Sequence, residues 1–143
     1  MSYMSGKCFV DTNILIYAYD SSSGSKHATA GALLDRLWQS GTGVLSTQVL
    51  QEFCVTMQRN ALRRPGLNDI RAVIFAYLAW EVVVNPPESV ITALEIAARY
   101  KISFWDALIV SAAEQAKAET LYSEDLNAGQ LYGSVRVVNP FLA

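Results

Sequence analysis

Four acids, Asp11, Glu52, Asp106 and Asp125, each follow or interrupt an apolar segment where a solvated surface charge is not expected. Asp11 ends the run Cys8-Phe9-Val10, and Asp125 leaves the run Thr120 to Ser123. In an open α/β sheet, groups at the carboxyl ends of strands and at the starts of the following helices meet in one crevice, so acids distant in sequence can converge there. Carboxylates brought together repel, which raises the pKa of some of them until a cation offsets the crowding. Hard oxygen donors without histidine suit magnesium or manganese far better than zinc. Each acid also has a purely structural rival. Asp11 could close a turn, Glu52 could be a solvated helix charge, and Asp125, beside Glu124, could be a loop charge. In Ser103-Phe104-Trp105-Asp106 the acid fits the Ser-x-x-acid pattern of a capped helix start, a job compatible with holding a metal.

Other chemistries find little support. His27 is the single histidine, which excludes histidine-built metal cages. No Gly-x-Ser-x-Gly elbow, Gly-x-x-x-x-Gly-Lys-Ser/Thr loop or Gly-x-Gly-x-x-Gly turn occurs. Cys8 and Cys54 lack metal-site spacing and read as buried free thiols.

The elements that must position the acids follow from hydrophobic spacing. A buried first strand around Phe9-Val10 passes into a turn or helix over Asn13 to Tyr19, then a serine-rich loop at Ser21 to Ser25. Ala30, Leu33, Leu34, Leu37 and Trp38 predict a helix from about Lys26 to Gln39, stopped by Gly41-Thr42-Gly43. After a strand at Val44 to Ser46, Thr47 can cap a helix with Val49, Leu50, Phe53 and Met57 on its apolar stripe and Glu52 one residue off it. Arg63-Arg64-Pro65-Gly66 breaks the chain before a helix carrying Leu67, Ile70, Val73, Ile74, Tyr77 and Leu78. Glu81 to Val84 reads as a strand stopped by Asn85-Pro86-Pro87. Helices from Ser89 to Tyr100 and from Ser103 to about Ala118 precede strands at Thr120 to Ser123 and Val135 to Val138. Strands alternating with helices predict a three-layer α/β/α sandwich on a mainly parallel sheet of about five strands. Its 143 residues fit a single domain over 1–143.

Four segments, in order, carry a family resemblance: Phe9-Val-Asp-Thr-Asn-Ile-Leu15, Ser46-Thr-Gln-Val-Leu-Gln-Glu-Phe53, Ser103-Phe-Trp-Asp-Ala-Leu-Ile109, and Leu121-Tyr-Ser-Glu-Asp-Leu126 followed by Gly129. With them the chain resembles the PIN-domain family, and within it the VapC-type toxin ribonucleases of prokaryotic toxin-antitoxin pairs. The resemblance implies a PIN-like fold and a magnesium-dependent endoribonuclease, with manganese as a possible substitute. It carries the family's acids over to Asp11, Glu52, Asp106 and Asp125, and its supporting polar positions to Thr12, Asn13 and Ser123. Asp125 is chosen over Glu124 because the family's last motif reads Ser/Thr, any residue, Asp. Metal would be held by Asp11 and Asp106 with Asp125, and Glu52 is either a further ligand or a general base acting through water.

The net charge is −2, which two bound divalent ions would reverse, and Arg59, Arg63, Arg64 and Arg71 form a basic cluster able to hold RNA phosphates or simply to solvate a helix. Trp38, Trp80 and Trp105 stand among apolar neighbours and read as core. A hydrophobic fraction of 52% leaves apolar surface for a partner, here expected to be a homodimer and, from the resemblance, an antitoxin. The start of the chain lacks the pattern of a secretory signal and the greasiest stretch, Ala72 to Val84, is too short to span a bilayer, so a cytoplasmic location is expected. The competing class is a non-catalytic receiver-like or protein-binding α/β domain with an acidic metal pocket. A receiver requires an acid pair at the first strand and a strand-end lysine after mid-chain, and here Asp11 stands alone with no lysine after Lys117.

Overall fold

Consecutive residues of a strand point to opposite faces of a sheet, so a strand buried at every position must be covered on both sides. In the computed structural model, which describes residues 6–59 and 66–142, β1 (Cys8–Val10) buries both Phe9 and Val10, and β2 (Gly43–Ser46) is buried throughout. With β3 (Glu81–Val83), β4 (Thr120–Tyr122), β5 (Leu131–Tyr132) and β6 (Val135–Val138) they form one sheet in the order β3-β2-β1-β4-β6-β5. Every neighbouring pair is parallel except β5 and β6. The sheet thus has six strands where about five are expected. The extra one, β5, is two residues long, too short to show a period, and joins β6 through Gly133-Ser134. Gly133 has φ +61°, and a Cβ there would collide with the Glu114 carboxylate, so glycine suits the turn on both counts.

Among the described residues six α-helices flank the sheet: α1 (Thr12–Tyr19), α2 (Ser25–Ser40), α3 (Thr47–Arg59), α4 (Leu67–Tyr77), α5 (Ser89–Tyr100) and α6 (Phe104–Gln115). α2 and α3 lie on β2, and α1 packs on both of them. On α3 the stripe Val49, Leu50, Phe53 and Met57 is buried. α6 touches β2 and β6 and is covered by α5, which is why Ala107 to Ala113 are buried without interruption. Its alanines let the two helices and the sheet approach closely.

Three local expectations need correction, and a fourth cannot be compared. Ser46, not Thr47, caps α3, since Val49 N donates to Ser46 Oγ at 3.3 Å and Thr47 is already the first helical residue. Trp105 is 62% exposed and Trp38 is 39% exposed, so neither is core, although the Trp38 ring packs against Tyr77 and Trp80. Cys8 and Cys54 are free, but only partly buried. The break at Arg63-Arg64-Pro65 lies outside the described residues.

Candidate active site

Chain order and sheet order part company beside β1. From β1 the chain moves outward through β2 and β3 and then returns to place β4 on the other side. This is a topological switch point, where the loops leaving two adjacent strands diverge and open a crevice at their carboxyl ends. Asp11 leaves β1 there, and Ser123 and Asp125 leave β4. The pairing of Val10 with Tyr122, continued by Asp11 N donating to Tyr122 O at 2.9 Å, holds the two exits level.

Asp11 is 4% exposed and caps α1, with Thr12 N donating to Oδ1 at 2.7 Å and Ser123 Oγ donating to Oδ2 at 2.8 Å. Burial pushes its carboxyl up to about 7; the bonds from Ser123 and Thr12 work against that, and the charges of Asp125 and Asp106 add to it. Ser123 Oγ also accepts from Asp125 N at 3.1 Å, so one buried hydroxyl links the loops that carry the two acids. Asn13 Nδ2 donates to Asp125 Oδ2 at 3.1 Å.

Glu124 is drawn elsewhere. It accepts from Tyr17 Oη and from Lys26 Nζ, the latter at 2.7 Å. Burial opposes its ionisation, yet those two partners hold its carboxyl below the ordinary glutamate value. Neighbouring acids therefore have different surroundings, one anchoring the loop to α1 and α2 and the other bonded to Asn13.

Asp106 sits in the first turn of α6, where Ser103 Oγ caps its backbone N–H at 3.1 Å. Burial raises the Asp106 pKa first of all, its bond with Ser103 lowers it, and the charges of Asp125 and Glu52 raise it again. Glu52, on the second turn of α3, accepts from Thr12 Oγ1 at 2.6 Å through Oε1 and from Gln48 Nε2 at 3.3 Å through Oε2. Thr12, Asn13, Glu52, Asp125 and Arg59 line an open groove of about 420 Å³. Asp11 lies buried next to it, and Asp106 stands outside its lining. Arg63 and Arg64 lie outside the described residues, and Arg71 borders a separate groove with Asn68 and Phe75.

Among the described residues no three His, Cys, Asp or Glu side chains stand close enough, as placed, to ligate one ion. The donor set nonetheless fits a hard divalent cation. Every acid offers oxygen, Asp11 and Asp106 are made reluctant to ionise partly by the other acids, and Asn13 Oδ1 is a buried acceptor without a hydrogen-bond partner. Gln48 is the residue that sequence reasoning missed. Its position four residues before Glu52 puts the two side chains side by side on one helix face, and that spacing was the available signal.

The PIN-domain family model matches residues 8–133. The chain belongs to the PIN-domain family. Solved structures of similar fold include a Mycobacterium tuberculosis VapC20 described as a sarcin-ricin loop cleaving toxin, at 23% identity and TM-score 0.65 over 83% of this chain and 90% of that one. A toxin-antitoxin complex from Klebsiella pneumoniae matches at 19% identity and TM-score 0.69, over 94% of this chain and 98% of that one. A DNA-bound VapBC from Salmonella typhimurium matches at 16% identity and TM-score 0.64, over 92% and 96% respectively. No curated protein matches the sequence. Membership of the PIN family, with the six-helix, mainly parallel α/β fold, removes the receiver-like alternative. Among the described residues no helix is long and apolar enough to cross a membrane.

Proposed function

We propose that this PIN-domain protein is a single-domain magnesium-dependent endoribonuclease, the toxin of a type II toxin-antitoxin pair. The observation that carries the reading is the mutual influence of Asp11 and Asp125, at the carboxyl ends of β1 and β4, with Asp106 on α6 and Glu52 on α3. Two of these acids have raised pKa values, and Asp125 contributes to both. The toxins and toxin-antitoxin complexes among the structural neighbours support the same reading.

In this reading Asp11, Asp106 and Asp125 hold magnesium, or manganese in its place, with Glu52 at the margin of the site. Bound there, the ion supplies Lewis-acid polarisation of a phosphate oxygen and eases deprotonation of an attacking water. Ser123 fixes the Asp11 carboxylate, Asn13 fixes that of Asp125, and Thr12 fixes that of Glu52. Hydrolysis joins the oxygen of water to phosphorus and breaks one ester bond. In this reading Glu52 takes the proton that the water gives up, and the departing oxygen takes a proton from solvent. Arg59, in the same groove as Glu52 and Asp125, is available to a neighbouring phosphate.

Purified protein should cut RNA with magnesium or manganese and stop in excess chelator, with Asp11→Asn run alongside to exclude a contaminant. Undiminished cleavage in chelator would overturn the reading. Exposed Phe75 and Leu78 on one side and Ile91 and Leu94 on another supply apolar surface for a homodimer and an antitoxin. The antitoxin should reach the acids with a basic side chain. Light scattering that gives a strict monomer at tens of micromolar would exclude the dimer, and coexpression with the adjoining gene tests the antitoxin separately.

A further inference from the structure

Gln48 is 6% exposed and joins two of the four acid-bearing elements through one nitrogen. Its Nε2 donates to Glu52 Oε2 at 3.3 Å, within α3, and to the carbonyl oxygen of Trp105 at 3.2 Å, in the first turn of α6. The next residue after Trp105 is Asp106. Gln48 Oε1 is buried and has no hydrogen-bond partner. The orientation of the amide is dictated by chemistry. Both neighbours are acceptors, so turning it over would bring three oxygens together and leave a carboxylate facing a carbonyl. The unpaired carbonyl is thus the cost of pointing both donor hydrogens at these two acceptors.

The two connections act on groups that repel. The charge of Glu52 bears on Asp106, and nothing else within the described hydrogen bonds ties α3 to the start of α6. With Thr12 holding Oε1 and Gln48 holding Oε2, the Glu52 carboxylate is gripped at both oxygens, from α1 and from its own helix. We propose that Gln48 is a positioning residue, fixing the Glu52 carboxylate relative to the Asp106-bearing turn of α6. The proposal rests on the ribonuclease reading above. No residue of another type does the same. Glutamate would present an oxygen to Glu52, and methionine fills the space but donates to neither acceptor.

The test is a double-mutant cycle on the full chain, comparing wild type, Gln48→Met, Glu52→Gln and the pair. Cleavage of RNA in manganese gives kcat and KM, and calorimetry of manganese binding without RNA gives a second readout. Gln48→Met should lower kcat about tenfold to a hundredfold with KM within about twofold, weaken manganese several-fold, and cost almost nothing further in the Glu52→Gln background. Where Gln48→Met melts far below wild type in chelator, Gln48→Glu, which keeps size and polarity, takes its place with the same expectation. A kcat and manganese affinity equal to wild type, or a loss that simply adds to that of Glu52→Gln, overturns the proposal. A wild type that binds manganese without cutting RNA overturns the ribonuclease reading, and the manganese arm then decides for or against Gln48. A wild type that neither cuts nor binds manganese overturns both.

Discussion

The two ends of one sheet are built for opposite purposes. At the amino ends of β1, β2 and β3, Trp38 packs against Tyr77 and Trp80 with ring centroids 5.1 and 5.3 Å apart, and Tyr77 meets Trp80 at 4.9 Å. Gly43 lies so close beneath the Trp80 ring that a Cβ would penetrate it, and Lys7 and Glu81 pair across the rim at 3.0 Å. At the carboxyl ends a few residues away, carboxylates are assembled against their mutual repulsion, and burial pushes Asp11 up to about 7. One end is stabilised by contact, and the other holds unfavourable charge in place through hydrogen bonds from Ser123, Asn13, Thr12 and Gln48. Substitutions should therefore separate stability from activity according to the end they strike.

The largest expected effect is that of Asp11→Asn. Removing a charge at the centre of the site should reduce cleavage on the order of a thousandfold, while the melting temperature in chelator holds or rises. The pH dependence sharpens this expectation. The folded Asp11 carboxyl titrates at about 7 against 3.8 ordinarily, so the folded state binds its proton more readily than the unfolded one. Its contribution to stability is fully present below the unfolded value and is lost as pH rises through about 7. In chelator, the melting temperature of Asp11→Asn relative to wild type should climb between about pH 4 and about pH 7 and level off above. A flat difference would mean that Asp11 is not protonated by folding.

Asp106→Asn follows, with a smaller but still steep loss of cleavage and metal affinity. Asn keeps the size of the side chain, and the loss of charge at a helix start should cost only roughly 0.3–1 kcal/mol. If the variant melts much lower yet cuts at the wild-type rate, Asp106 is a structural residue. At the opposite end, Gly43→Val should cost about 1–3 kcal/mol by overpacking Trp80. Cleavage per folded molecule should be unchanged, and a fall in kcat at a temperature where the variant is fully folded would break the division between the two ends. Trp38→Ala should show the smallest effect on cleavage, because the indole lies at the end of the sheet away from the acids. Loss of its ring contacts is worth roughly 0.5–1.5 kcal/mol beyond area, read as a lower denaturant midpoint with cleavage intact.

Much of this was legible along the chain where the physics is local. Ser103 and Asp106 spell a helix start within four residues, and the stripe on α3 appears as Val49, Leu50, Phe53 and Met57, all of which the structure buries. Asp11 and Asp125 stand out because a charge ending an apolar run needs a reason. Gln48 did not stand out, since a glutamine in a helix is ordinary until its partner on α6 is known. Trp38 and Trp105 were misjudged because apolar sequence neighbours say nothing about whether another element covers that face. The two-residue β5 exists only because β6 is there to pair with it.

By itself the sequence determined which segments other than β5 are helices and strands and where most helices start, and it singled out four acids as candidates. Those properties follow from periodicity and capping within a few residues. Only the tertiary structure decided that Ser123 bonds Asp11, that Thr12 and Gln48 grip Glu52, and that Glu124 turns to Lys26 while Asp125 turns to Asn13. Most of these bonds join residues 40 to 112 apart in the chain. Those made by Ser123, Glu124 and Asp125 exist because β4 returns beside β1, and strand order is set by the packing of the whole sheet rather than by any local pattern.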